Sequence, residues 1–294
     1  NNNFYKPQGF NMCGYAAPKL DKVRIGIIGL GMRGPGAVER MSLIDGVEIV
    51  ALCDKIPDRA SAQQKVLLET GRPKAREYSG ENGWKALCES NDIDLVYTCT
   101  PWHLHTPIAV YAMLHGKHAA TEVPTAKTID ECWQLVETSE KTKKHCMMLE
   151  NCCYDFFEQL TLNMARQGMF GELVHAEGAY IHNLLDLNFD KNGYADMWRL
   201  KENYRNGDLY PTHGLGPIAQ CLNINRGDRM DYLVSVSTND FQMHDEAVKR
   251  AAQDNFYQQF TGKSFRGNMN TCIIRTVNGK SIMVQHDVTS TRPY

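Results

Sequence analysis

The stretch Val23-Arg24-Ile25-Gly26-Ile27-Ile28-Gly29-Leu30-Gly31-Met32-Arg33-Gly34 constrains the fold more than any other part of the chain. An apolar, β-branched run leads straight into Gly29-x-Gly31-x-x-Gly34, and a helical pattern follows. This reads as a buried strand, a tight turn and the start of a helix. Gly29 can take the positive φ of the turn, Gly31 lets backbone approach a pyrophosphate, and Gly34 allows close helix–sheet packing. The helix N-terminus adds unbonded N–H groups and the positive end of a dipole, both of which suit phosphate. A dinucleotide site is the expectation.

Downstream, the same alternation continues. Strands are expected at 48–53, 94–99, 118–121 and 146–149, with helices at 57–70, 84–89, 105–115 and 128–143. Strands separated by helices of this length imply βαβ units and a parallel, doubly wound sheet. In such sheets ligands bind beyond the carboxyl ends of the strands. That rule selects residues 29–34, Asp54, 101–105, 122–124 and Asn151 as the ones facing a ligand.

Past Asp155 the texture changes. A helix to about Gln167, a long strand over 173–183 and an irregular polar stretch over 184–212 precede a helix from His213. Strands at 232–238, 271–277 and 281–289 follow, the last two flanking Asn278-Gly279, the strongest hairpin signal in the chain. Longer strands with hairpins and few helices predict a second domain on a largely antiparallel open sheet. The expected organisation is an N-terminal arm (1–20), a Rossmann dinucleotide-binding domain (21–152) and an α+β substrate domain (153–294).

With 294 residues the chain can bury two cores. Its formal net charge of −2 gives no electrostatic reason to expect nucleic acid, and no run of eighteen apolar residues spans a bilayer. The ten cysteines contain no CxxC and fall in strand and helix patterns, so they read as buried thiols and not as disulfides or metal clamps. The chain opens on Asn1 without methionine and stops at Tyr294 just after a strand. A removed leader, an exported or periplasmic protein (with the cytoplasm as the alternative) and a truncated C-terminus are therefore expected. An open sheet face makes a homodimer the expected assembly.

Asp54, twenty residues after Gly34 at the end of the second strand, is placed to bond an adenosine ribose and favours NAD over NADP, although Arg33 and Lys55 keep NADP open. Trp102-His103-Leu104-His105 has a metal-like HxH spacing but no matching ligand set, so no metal is expected. Cofactor-edge contacts from Trp102 and His105 are preferred, with His103 solvated. His213, at a helix N-terminus, feels the positive dipole end, which keeps a neutral base available. Tyr210 beside it can donate a hydrogen bond, whereas a plain capping role for His213 is the alternative. Tyr180, Arg199 and Asp196 could supply sugar-binding groups, but each alone reads first as structural.

Together, the Gly29–Gly34 turn, Asp54, the 101–105 loop, Glu122-x-Pro124 and the second-domain histidine resemble the glucose–fructose oxidoreductase/inositol dehydrogenase (Gfo/Idh/MocA) family over nearly the whole chain. Within it, Gly-Leu-Gly-Met-Arg-Gly, Trp-His-Leu-His-Thr-Pro, Glu-Val-Pro and Gly-Asp-Leu-Tyr-Pro-Thr-His are most similar to the NAD-dependent glycosidases of glycoside hydrolase family 109, whose activity is α-N-acetylgalactosaminidase. Two departures from the dehydrogenase pattern fit that branch. Val123 stands where dehydrogenases carry a lysine, and Leu209 to His213 replaces Asp-x-Gly-x-His. The resemblance implies that Gly29, Gly31, Met32, Arg33, Gly34, Asp54, Trp102, His105, Glu122, Val123, Asn151 and Tyr210 hold NAD. It implies that Tyr180, Arg199, Tyr210, Pro211, Thr212, His213 and Tyr294 face a terminal sugar. The implied cycle oxidises carbon 3 of the sugar, eliminates across carbons 1 and 2, adds water and reduces the ketone, with His213 as base and Tyr210 assisting. A plain NAD-dependent sugar or polyol dehydrogenase is the alternative.

Overall fold

The computed structural model describes residues 9–291. Two compact units divide between Leu149 and Glu150.

In the first unit, β1 (Val23–Ile28), α1 (Gly34–Ser42), β2 (Val47–Asp54), α2 (Pro57–Glu69), β3 (Arg76–Ser79) and α3 (Gly83–Glu89) are followed by β4 (Leu95–Thr98), α4 (Trp102–Leu114), β5 (His118–Thr121), α5 (Ile129–Thr142) and β6 (Cys146–Met148). The sheet order is β3-β2-β1-β4-β5-β6, parallel throughout. This is the doubly wound order in which a dinucleotide lies at the point where strand order reverses, next to β1. Helices cover both faces, so β1, β2 and β4 read as continuous apolar runs. Ile25, Ile27, Leu52 and Tyr97 pack on one face, and Ile28, Ala51, Cys53 and Val96 on the other.

The sequence reading missed β3, an edge strand of polar sequence whose residues are mostly exposed. It also started α4 too late. The helix begins at Trp102, so Trp102 and His105 sit in its first turns and not on a loop. A full capping box closes the N-terminus of α5, where Thr128 and Glu131 bond each other's backbone N–H groups.

The second unit opens with a 3₁₀ turn (Asn151–Cys153) and α6 (Phe156–Arg166), then β7 (His175–Ile181), α7 (Leu185–Asn188), a 3₁₀ turn (Ala195–Met197), α8 (Trp198–Glu202) and α9 (Thr212–Cys221). β8 (Met230–Ser237), α10 (Met243–Ala251), a 3₁₀ helix (Asn255–Phe260), β9 (Asn270–Thr276) and β10 (Ser281–Asp287) complete it. Its sheet order is β7-β10-β9-β8. The two pairings of β9 are antiparallel, whereas β7 runs parallel to β10, so the sheet is mixed. The hairpin at Asn278-Gly279 forms, with Gly279 at φ +88°. Ile218 and Leu222 of α9 pack on Ile274, Ile282 and Val284 of the sheet.

This unit holds more helix than expected. The stretch 184–212 contains α7 and α8, and α10 follows β8. The charged sequence of α10 hides a narrow seam in which only Met243 and Ala247 are buried. All ten cysteines are free, and the expectation of buried thiols fails at Cys13 and Cys132, which are exposed.

Candidate active site

In the first unit the glycine turn is fixed by its own packing. A Cβ on Gly34 would lie 2.2 Å from the Gly29 carbonyl oxygen, and one on Gly29 (φ +90°) 2.8 Å from Cys99 and Thr100 backbone. Gly31 differs, because a Cβ there would meet only the Arg59 guanidinium at 3.3 Å. The fold does not need glycine at 31, which leaves that backbone open to a ligand. No side chain caps α1 and its first turn holds no acid, so its N–H groups remain available for phosphate. Asp54 Oδ2 accepts from Leu30 N at 2.7 Å and Oδ1 from Ile56 N at 2.9 Å, tying the turn to the end of β2. A carboxylate has lone pairs beyond these two bonds, so a ribose hydroxyl can still be accommodated.

Beyond β4 and β5, Tyr97 donates to Glu122 Oε1 at 2.5 Å, and Arg33 Nε lies 3.9 Å from Glu122 Oε2. Burial, with the Cys99 and Glu122 charges added, pushes the Tyr97 hydroxyl well above its ordinary range, so it stays a proton donor. Met32 is 56 % exposed, while Trp102 and Val123 are buried. His105 departs from the expected cofactor-edge role. It is 1 % exposed, and its ring nitrogens lie 2.6 Å from Pro124 O and 2.7 Å from Thr100 O. It braces the segments after β4 and β5 from within.

The second unit gathers the residues expected to face sugar. On β7, Gly178 has no room for a methyl because a Cβ there would meet the Gly214 carbonyl oxygen at 2.7 Å; one on Gly214 would meet Ala179 N at 2.6 Å. The first turn of α9 therefore lies directly on β7, which brings His213 to Tyr180. Their ring centroids are 5.4 Å apart, and Tyr210 lies 4.7 Å from both rings, edge-on to His213. Arg199 donates to the Tyr180 hydroxyl at 3.0 Å and stands 5.5 Å over the Tyr210 ring. Although burial opposes its charge, the Tyr180, Tyr194 and Tyr210 oxygens hold the guanidinium above its ordinary pKa. Pro211 and Thr212 form the entry to α9, whereas Asn151 is exposed in the opening 3₁₀ turn. Asp196 takes positive φ (+55°) in its own turn. Tyr294 lies outside the described residues.

Sequence reasoning missed Glu150. Its Oε1 lies 2.6 Å from His213 Nδ1, and both side chains are over 90 % buried. Burial pushes the Glu150 carboxyl up, but the bond and charge of His213 and the bond from Cys152 N–H outweigh it and hold the pKa below its ordinary value. An ionised carboxylate only accepts, so Nδ1 carries the proton and Nε2 is the basic nitrogen. Gly216 makes the pairing feasible, since a Cβ there would meet Cys153 Sγ at 2.9 Å and Glu150 Cγ at 3.1 Å. The readable signal was the pair of glycines in the first turns of α9.

Beneath Tyr210 lies a second buried set. Tyr210 N donates to Asp208 Oδ1 at 2.9 Å, Leu209 N to His286 Nδ1 at 3.3 Å, and Arg266 Nη2 to the His286 carbonyl at 3.1 Å. Burial raises the Asp208 pKa and lowers that of Arg266 to about 10. Burial, with the Arg266 and Arg199 charges, drives His286 well below 6.5, so its neutral ring can accept the Leu209 N–H.

Fold and site together define a Rossmann-type oxidoreductase fold of the Gfo/Idh/MocA class. Residues 23–150 match the model of the oxidoreductase family with an NAD-binding Rossmann fold, and residues 154–294 match the glycosyl hydrolase 109 C-terminal domain. An alpha-N-acetylgalactosaminidase of Bacteroides fragilis is 51 % identical over 292 residues, covering 98 % of this chain and 68 % of the relative. Glycosyl hydrolase family 109 protein 1 of B. fragilis is 53 % identical over 291 residues, covering 97 % of this chain and 60 % of the relative. The chain belongs to glycosyl hydrolase family 109. It spans 60 % and 68 % of the length of these two curated relatives. Among solved structures, Lactobacillus casei myo-inositol dehydrogenase with NAD(H) and myo-inositol superposes with a TM-score of 0.66 at 17 % identity, covering 93 % of this chain and 69 % of that one. That likeness speaks to fold alone. Among the described residues, no helix is long and apolar enough to cross a membrane.

Proposed function

We propose that this chain works in a glycosidase that removes terminal N-acetylgalactosamine, with NAD as a cofactor restored in every turnover. The observation that carries this reading is the Glu150–His213 pair set against Tyr180, Tyr210 and Arg199, with Val123 where a dehydrogenase carries lysine. Gly29, Gly31, Met32, Arg33, Gly34, Asp54, Glu122, Val123 and Asn151 would hold NAD, with Trp102 shaping the wall and His105 bracing it. What NAD supplies when bound is reversible hydride acceptance from carbon 3 of the sugar, which acidifies the hydrogen on carbon 2.

His213 Nε2 then takes that proton, because Glu150 fixes the Nδ1–H tautomer and stabilises the imidazolium that forms. Tyr210 donates a hydrogen bond beside it, and Tyr180, held by Arg199, orients a sugar hydroxyl. Pro211 and Thr212 complete the sugar-facing set. A homodimer through the open sheet is the assembly proposed with it, on the strength of the exposed Tyr232, Val234 and Val236 of β8, which share the face opposite α9.

The test uses the full-length protein with NAD and an aryl α-N-acetylgalactosaminide. The reading expects aglycone release without NADH build-up, and His213→Ala should lower kcat by about 10²- to 10⁴-fold. Rising NADH absorbance with a free sugar or polyol, and no aglycone, would establish the dehydrogenase alternative instead.

A further inference from the structure

The Glu150 carboxylate, the Cys152 thiol and the His213 imidazole bring one ligand atom each within 4.8 Å of one another, all in the second unit. We propose that these three residues form a binding site for a borderline-soft divalent ion, zinc foremost, whose occupancy takes His213 out of proton transfer. The metal binding stands by itself; only its effect on turnover rests on the function proposed above.

Three observations carry the site. The ligand set is one sulfur, one imidazole nitrogen and one carboxylate oxygen, which suits a tetrahedral zinc with a fourth place for water. In such a site the ligand atoms stand about 3.5 Å apart, so the present cluster needs only small side-chain rotations. The 3₁₀ turn already folds the thiol residue onto the acid, because Cys152 N donates to Glu150 Oε1 at 3.1 Å. Glu150 itself is 4 % exposed, yet its Oε2 is buried without a hydrogen-bond partner. A buried carboxylate oxygen lacking a donor is costly, and a cation satisfies it. Asn151 Nδ2 lies 3.7 Å from Cys152 Sγ, a support for a thiolate, and the exposed Asn151 and partly exposed Cys152 give the ion an approach.

The proton balance is explicit. Zinc replaces the proton on Cys152, which leaves to solvent, and takes the Nδ1 lone pair of His213. The imidazole proton moves to Nε2, so the ring stays neutral but loses its basic nitrogen. Thiolate, carboxylate and zinc sum to zero charge, which suits a buried place. Unmetallated, the Cys152 thiol is pushed up to about 12 by burial and by Glu150, and a bound cation reverses that preference.

The experiment titrates chelator-treated full-length protein, NAD present, with Co²⁺ as the spectroscopic probe and Zn²⁺ as competitor. The expected result is one Co²⁺ per chain with tetrahedral visible bands and a thiolate-to-cobalt charge-transfer band, both removed by Zn²⁺. Cys152→Ser and Cys152→Ala should each abolish the charge-transfer band and weaken Zn²⁺ by more than the about ten- to hundredfold that loss of an outer-shell partner costs, with thermal melting confirming that both variants fold. Failure to bind at stoichiometric concentration would overturn the site. So would a thiolate band that persists in both variants, which would assign the ion to another of the ten cysteines. Zinc inhibition of aglycone release that is relieved in Cys152→Ser tests the effect on His213; a protein without that activity leaves the binding result intact.

Discussion

At the scale of single residues, the decisive group is the one the sequence did not announce. Glu150 stands 63 positions from His213 and looks like the last residue of a strand, so nothing local marks it. Its role is to fix a tautomer, and the consequence is measurable. Glu150→Gln keeps the shape but can offer a donor where the ring also offers one. It is expected to lower kcat at least about tenfold with KM little changed, as read from steady-state aglycone release. The buried histidines make a separate prediction. Burial holds His286 well below 6.5, and it lowers His105 in the same direction against the pull of two carbonyls. The unfolded chain therefore binds protons that the folded chain refuses. Stability from these rings is fully present above about pH 6.5 and drains away below it, by up to about 1.4 kcal/mol per pH unit for each ring. Melting temperature should fall on acidification from pH 7.5 to 5, and His286→Gln should flatten that slope.

At the scale of elements, packing between glycines does the positioning. A methyl on Gly214 would press into the β7 backbone at 2.6 Å, whereas one on Gly262 would meet nothing within 4 Å. Gly214→Ala should cost about 1–3 kcal/mol, by differential scanning calorimetry, and depress kcat by displacing His213, while Gly262→Ala leaves both unchanged. The same contrast explains what was legible. β1, β2, β4 and β5 were readable because both faces are covered and their sequences carry no polar alternation. β3 was not, since an edge strand with exposed Arg76 and Glu77 gains its identity from β2 alone. The start of α4 was misplaced because Trp102 and His103 carry no capping signal; Pro101 bounds the helix without a side-chain bond. The cluster around Tyr210 was legible as a motif that includes Asp208, but the rest of its buried support, Arg266 and His286, comes from a distant loop and from β10, which no spacing rule connects.

At the scale of the whole molecule, the glycine turn implies that stability depends on what it holds. An uncapped α1 and an open Gly31 leave donors that no protein side chain takes and that a bound phosphate can accept from. NAD at a hundred times its dissociation constant should add about 2.7 kcal/mol, seen as a rise in melting temperature that is lost in Gly31→Ala, where the fold has room for the methyl. If melting were unchanged by NAD at any concentration, the cofactor assignment would fall.

The far edge of the second sheet carries a different lesson. On β8, Tyr232, Leu233, Val234 and Val236 are all more than half exposed, beside a row of backbone groups that no neighbouring strand pairs. Such an edge is a template for strand addition wherever it is left bare. Its first consequence is colloidal: in concentrated solution this strand, and no feature of the sugar site, would govern how long preparations of the chain stay clear.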